Sequence, residues 1–521
     1  MNDAIAIANH TDTDKQLYQD ECTKILLNGR NGRYDIQWDD QSKTTSMGGI
    51  VFFAQYLNVS GLFDRLCEDA PLEYASNNAP KDRDVLGTLL LSILNGHRRY
   101  EQISTLRNDK VGCELLGLSK IVSEDSVRRA LERGSEKDWD RWLTKNERAV
   151  YEALLSEDYV ADIDSTVKTI YGEQEGAENG YNPKKPGRPS HNFHSLFVGS
   201  IRIVLNADVL PGKRHSGSHG MPGVWQTIDS LPRKCRPSLL RGDIGYGNEK
   251  IMLAAETRGQ AYLFKIRKTS KVKEHIIALE RTASAWADAG RGWQGAERMV
   301  KLSGWSKARR CIFLRRPKKR QPKCKSLAEE AKAPEFDFVE HLTEGPSYEY
   351  AVLITNKDYT IVEAAQLYRD RADCENVFDE IKNQWGWSGF VTQDLKRCRI
   401  VARLIALVYN WWNVFARLAC PDQHMEAATS RPLLLQSVAR LVESGRQKKI
   451  RISSTHACSD KIRIVMSRIA RFFNKLCSTA EQLTSEERWV LILSVAFVKW
   501  LRGRVLKPLA DGQQMLLYLT S

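Results

Sequence analysis

Residues 368–387 read YRDRADCENVFDEIKNQWGW, and four of them could act together on a phosphodiester. Counting from Tyr368, Arg371 lies three residues on, Glu375 seven and Lys382 fourteen. At about 100° per residue, a continuous helix over this stretch gathers all four within roughly one sixth of a turn. Solvated charge would scatter around the helix. One carboxylate set between two cations suits a divalent metal held beside a nucleic-acid backbone. Carboxylate oxygens ligate hard cations, while guanidinium and ammonium groups hold phosphates. The plainer alternative is helix ion pairing of Arg371 with Glu375, four residues apart.

That spacing resembles the signature of one branch of bacterial insertion-sequence transposases, which are cut-and-paste DDE enzymes built on an RNase H-like core. AspIleAspSerThr at 162–166 resembles the family's first-aspartate strand, and ArgGlyAspIleGlyTyrGlyAsn at 241–248 its second-aspartate motif. GluGlyAlaGluAsnGlyTyrAsnPro at 175–183 is similar to a loop of the insertion-sequence group numbered thirteen-eighty. The matches run in order over residues 155–390.

The resemblance implies Asp164, Asp243 and Glu375 as the catalytic residues, ligating two Mg²⁺ or Mn²⁺ ions. Two such ions can activate the attacking oxygen and stabilise the leaving one. Asp162 competes with Asp164 from two residues away on the same strand face, and the Asp-Ser-Thr order favours Asp164. Asp379 and Glu380 compete with Glu375, which alone fits the spacing to Tyr368, Arg371 and Lys382. Those three would handle the DNA end, the arginine by a forked phosphate contact and the lysine as a point charge. The resemblance further implies a homodimer that holds both inverted-repeat ends, joins their 3′ hydroxyls to target DNA, and can excise through a hairpin. A nuclease or resolvase without strand transfer is one rival; a non-catalytic DNA-binding protein is another.

Other residues are candidates for DNA contact. Lys184, Lys185 and Arg188 sit in the proline-stiffened loop 183–190. Arg315, Arg316, Lys318, Lys319 and Arg320 open a run at 315–325 with seven basic side chains and no acid. Trp293 and Trp305 precede that run, and an aromatic in this region can stack on a flipped base in similar enzymes. Arg128 and Arg129 lie on a short helix whose start is set by Ser123, compatible with a helix-turn-helix reader. Core packing or a solvated face is the ordinary alternative for each. Trp411 and Trp412 belong to a core helix, and His191 and His194 have no evident metal partner.

Several elements must position these residues. The strands expected are 159–165, 195–205, 207–211, 237–243, 261–267 and 350–355, with one more near 449–453 in the C-terminal region; one helix is expected over 361–384. The expected fold is thus an α/β RNase H-like catalytic core over 151–267 and 348–390, with a mixed sheet. A flexible arm (1–45) and a helical DNA-binding domain (46–150) come first. A basic β-rich insertion (268–347) interrupts the core, and a helical C-terminal region (391–521) serves DNA binding or dimerisation.

Composition agrees. The chain has 521 residues and a net charge of +14, which points to a polyanionic partner. Residues 391–521 hold twenty-one basic and nine acidic side chains. Eleven scattered cysteines without a Cys-x-x-Cys pair suggest free thiols in a reducing cytosol, near the nucleoid, and no structural zinc. The N-terminus lacks a signal-peptide pattern, and the apolar stretches 402–419 and 489–501 are too interrupted or too short to span a bilayer.

Overall fold

The computed structural model describes residues 25–39, 41–156, 158–214, 216–282, 285–318, 347–387, 389–390, 392–453, 458–478 and 483–506. The expected loose arm contains a hairpin, β1 (Ile25–Gly29) and β2 (Gly32–Ile36), and a two-residue strand, β3 (Thr44–Thr45). Six helices follow: α1 (Ile50–Ser60), α2 (Leu62–Cys67), α3 (Asp82–Leu94), α4 (Lys110–Leu115), α5 (Glu124–Glu132) and α6 (Glu136–Tyr151). Ser123 and Ser135 cap α5 and α6 by accepting from the backbone N–H groups of Ser126 and Asp138.

A ten-stranded mixed sheet forms the centre. Within it β4 (Val160–Thr169) runs antiparallel to β6 (Pro189–Val198). That neighbour pairs in turn with β5 (Glu178–Asn179) and β7 (Ile203–Pro211). On its other side β4 runs parallel to β8 (Leu239–Gly242), and β8 parallel to β9 (Tyr262–Lys265). The strand expected over 195–205 is broken at Gly199–Arg202 by a short turn with Arg202 in the left-handed region at φ 57°. The apolar run conceals it, because both flanking strands are buried.

The expected insertion does not stand apart from the sheet. Its strands β10 (Ala287–Gly290), β11 (Trp293–Val300) and β12 (Arg309–Pro317) continue the sheet through β13 (Tyr348–Thr355) onto β9. The helices here are α7 (Met221–Ser230), α8 (Glu249–Thr257) and α9 (Ser270–Glu280).

After β13 the chain enters α10 (Ile361–Arg369), opened by a capping box between Thr360 and Glu363, then α11 (Ala372–Gln384). The single helix expected over 361–384 is therefore interrupted at Asp370 and Arg371. Next come α12 (Leu395–Ala419), α13 (Ala427–Leu434), the ribbon β14 (Ala439–Ser444) and β15 (Gln447–Ile452), and α14 (Ser459–Ser478), α15 (Ser485–Ala496) and α16 (Val498–Leu501).

The long helix α12 is buried on nearly every side, its buried Arg403 paired with Asp140 and Glu147 at 2.6 Å. Trp411 and Trp412 are 1% and 2% exposed. Asn410 exchanges two hydrogen bonds with the backbone of Val204, and Asn413 donates to Ile201 O, so α12 is fastened to the β6–β7 turn. Helices from both ends of the sequence pack around it, and one hydrophobic core runs from Met47 to Leu506. No helix among the described residues is long and apolar enough to cross a membrane.

Candidate active site

The two aspartates meet through strand register. Ile163 of β4 pairs with Gly242 of the parallel strand β8. Asp164 and Asp243 each come one residue after that pair, Asp164 within β4 and Asp243 just past the end of β8. Parallel strands lie about 4.8 Å apart, so both carboxylates leave the sheet at one place although 79 residues separate them in sequence. Each is oriented by a nearby backbone N–H: Ser165 N–H of β4 donates to Asp164 Oδ1 at 2.8 Å, and Gly245 N–H of the loop after β8 to Asp243 Oδ1 at 2.8 Å.

Tyr246 marks the floor. It is 1% exposed, its hydroxyl lies beside Ser165, and it feels Asp164, Asp243 and Arg371 together. Burial, reinforced by the two carboxylates, holds this phenol far above the usual tyrosine range, so it stays neutral. Gly242 permits this packing, since a Cβ there would stand 3.0 Å from Tyr246 Cβ.

Helix α11 is tied to β4 by the two expected cations. Arg371 donates to Asp164 Oδ2 at 2.6 Å, with side-chain exposures of 8% and 16%. Lys382 donates to Thr166 Oγ1 at 3.0 Å and Val167 O at 3.2 Å. Both were expected to hold phosphates; both bridge helix to strand, and the carboxylate facing Arg371 is Asp164. Burial, with help from nearby Lys184, lowers the Lys382 pKa. Glu375 falls in α11, one turn beyond Arg371, and its side chain lies outside the described residues.

Tyr368 departs from the expected shared face. The break at Asp370–Arg371 leaves it on α10, packed with Leu367 against the cluster of Ala289, Ile312 and Leu353.

The competing acids have structural partners. Asp162 is fully buried in a forked pair with Arg241, at 2.7 and 2.8 Å. Glu380 is 1% exposed and accepts from Ala427 N–H at 2.9 Å and Trp385 Nε1–H at 3.3 Å, with His424 Nε2 at 2.6 Å. Asp379 accepts from Asn383 at 2.6 Å on the surface.

The donor set at Asp164 and Asp243 is hard oxygen, two carboxylates that fit a divalent cation of the Mg²⁺ class. Among the described residues no three His, Cys, Asp or Glu side chains converge as a metal site.

One cation was not foreseen. Lys168 shares the β4 face of Asp164 and Thr166 and donates to Gly389 O at 3.0 Å. Burial, outweighing Cys398, lowers its pKa to about 8. The period-two count from Asp164 would have found it.

The remaining expected DNA contacts divide. Lys184 and Arg188 are exposed in the 183–190 loop, while Lys185 pairs with the Tyr171 hydroxyl and lies 4.9 Å from its ring. Arg129 is exposed; Arg128 pairs with Asp125 and sits 5.8 Å from the Tyr100 ring.

Arg315 is a structural residue. It donates to Glu280 at 2.5 Å and Gln294 at 2.9 Å, with Trp286 and Tyr348 rings 4.2 and 4.5 Å away. Arg316 pairs with Glu349 and lies 4.8 Å from the Trp293 ring. Trp305 likewise carries Arg309, at 5.5 Å, so neither expected stacking tryptophan presents a bare pair of faces. Lys318 is exposed, and Lys319 and Arg320 lie outside the described residues.

A family model described as transposase DDE domain group 1 matches residues 35–474. A comparison with curated proteins gave no match. Among solved structures, the piggyBac transposase synaptic complex with hairpin DNA is 10% identical, covering 92% of this chain and 91% of that chain at a TM-score of 0.33. Overlap at that score does not equate the two folds.

Proposed function

The chain belongs to the family of DDE transposases, group 1, and on that premise we propose that it is a cut-and-paste transposase of an insertion sequence. It binds the terminal inverted repeats of its element, cleaves them and joins the 3′ ends to target DNA, working as a homodimer. Membership in the branch marked by Tyr368, Arg371, Glu375 and Lys382 belongs to the same reading.

One observation carries it: Asp164 and Asp243 stand one residue beyond the register pair Ile163–Gly242, and Arg371, the residue that opens α11, closes on Asp164 at 2.6 Å. The strand order β7-β6-β4-β8-β9, two antiparallel pairings and then two parallel ones, supports an RNase H-like core.

Asp164, Asp243 and Glu375 would hold divalent cations, which supply a nucleophilic oxygen and neutralise charge at the leaving oxygen. The protein's own residues do the rest. Ser165 and Gly245 N–H groups aim the carboxylates. Arg371 fixes Asp164 against α11, and neutral Tyr246 packs beneath the pair. Lys184 and Lys382, close enough to feel each other, offer positive charge to a DNA strand leaving the site.

The test is strand transfer. A duplex with the element's terminal repeat and a free 3′ hydroxyl is incubated with supercoiled plasmid and Mg²⁺. Joined product that disappears in Asp164→Ala is expected. Hydrolysis without joining would favour the nuclease rival, and neither product would exclude both enzymes.

A further inference from the structure

The β14–β15 ribbon has two unlike faces. In its register Arg440 opposes Arg451, Val442 opposes Lys449 and Ser444 opposes Gln447. Directly opposed residues share a face, so Arg440, Arg451 and Lys449 project together. Thr44 of β3, paired with Arg440, extends that face without adding charge. The loop between the strands is two residues, Gly445 at φ 60° and Arg446, so a fourth cation stands at the tip.

The other face looks inward. There Ala439 is 1% exposed, Glu443 pairs with Lys43 at 2.7 Å, and Lys448 pairs with Glu114 at 2.5 Å. The acid of the ribbon is thus spent on the body of the protein.

The outer face has no such compensation. Arg440, Arg446, Lys449 and Arg451 are all exposed, and none forms an ion pair among the described residues. Placing two arginines directly across a strand pair is destabilising in itself. A protein that needed only solubility could alternate charges, as the inner face does. The geometry points to a polyanion lying against this face.

We infer that the β14–β15 ribbon is a second duplex-DNA contact, with Arg440, Lys449, Arg451 and the tip residue Arg446 on phosphates. This rests on the transposase reading and extends its DNA surface to a place outside the active site. A two-stranded ribbon has the width to enter a major groove of about 12 Å. It is also held rigidly relative to the catalytic helix. Helix α13, just before the ribbon, is bound to α11 through Ala427 N–H to Glu380 at 2.9 Å and Ala428 N–H to Gln384 at 2.7 Å.

The experiment measures affinity for a short random-sequence duplex against salt concentration, using the full chain. Arg440→Gln, Lys449→Gln and Arg451→Gln are combined; all three side chains are exposed. The slope of log affinity against log salt should flatten by roughly 2–3, at about 0.9 for each phosphate no longer neutralised. Lys448→Gln, on the inner face, should leave the slope as it is. If the triple variant keeps the wild-type slope while the wild type binds duplex, the ribbon inference is overturned and the transposase reading stands. Loss of binding to anionic phospholipid vesicles without a change in duplex slope would also overturn it. If the wild-type chain binds no duplex at all, the transposase reading falls, and the inference with it.

Discussion

Replacing Arg371 with Met should destabilise the metal-free protein and make it depend more on Mg²⁺. The guanidinium lies 2.6 Å from Asp164 Oδ2, with side-chain exposures of 8% and 16%. Breaking a pair this buried leaves Asp164 uncompensated beside Asp243, which costs about 3 kcal/mol. In a chain of this size that is a fall of a few degrees in Tm. A divalent cation restores the missing positive charge, and in the variant it no longer shares Asp164 with an arginine. Mg²⁺ should therefore raise the Tm of Arg371→Met more than that of the wild type. Arg371→Lys keeps the charge without the fork and should fall between them. Thermal unfolding with and without Mg²⁺ reads all six values. An unchanged metal-free Tm, or equal Mg²⁺ shifts in wild type and Arg371→Met, would refute the idea that Arg371 balances the carboxylates.

Asp164→Ala, Asp243→Ala and Glu375→Ala should each reduce end cleavage on the order of 10³-fold or more while end binding survives. Near-normal cleavage by any one, in a denaturing-gel time course, removes that residue from the triad. Arg315→Gln should lower stability without flattening the salt dependence of DNA binding, because its donors serve Glu280 and Gln294; a flatter slope with unchanged Tm would reverse that assignment. Lys168 has its folded pKa lowered to about 8, from an ordinary value of 10.5. Between those values the unfolded chain binds the extra proton, so stability should rise with pH there. Lys168→Met should lose that rise, and parallel denaturation curves for variant and wild type across the window would contradict it.

The candidate site was legible where chemistry is local in sequence. Asp164 and Asp243 stand in short runs whose residue order is distinctive, and period-two alternation put Asp162 and Asp164 on one strand face. Nothing local told that Asp162 pairs with Arg241, because the partner is 79 residues away. The helical face was overread. Offsets from Tyr368 assume unbroken helix, and the interruption at Asp370–Arg371 carries neither Gly nor Pro to announce it. At its start, Arg315 and Arg316, the charge run at 315–325 shows the reverse effect. Arg315 and Arg316 sit on β12, where Glu280 and Glu349 reach them from α9 and β13. Composition counts such arginines as available when the fold has already used them. The ribbon showed only as one strand near 449–453, since β14, with its alternating small, charged and apolar residues, has little propensity signal.

The central claim is that Asp164, Asp243 and Glu375 meet at one divalent-metal site. Iron-directed cleavage tests it without knowledge of the element's ends. Fe²⁺ is loaded in place of Mg²⁺, and ascorbate with peroxide generates radicals that cut the backbone near the bound ion. Fragments should map to β4 around Asp164, the start of the loop after β8, and α11 around Glu375, all three suppressed together by excess Mg²⁺ and by Asp243→Ala. Cuts at only one of these places, or cuts that survive Asp243→Ala, would contradict the claim.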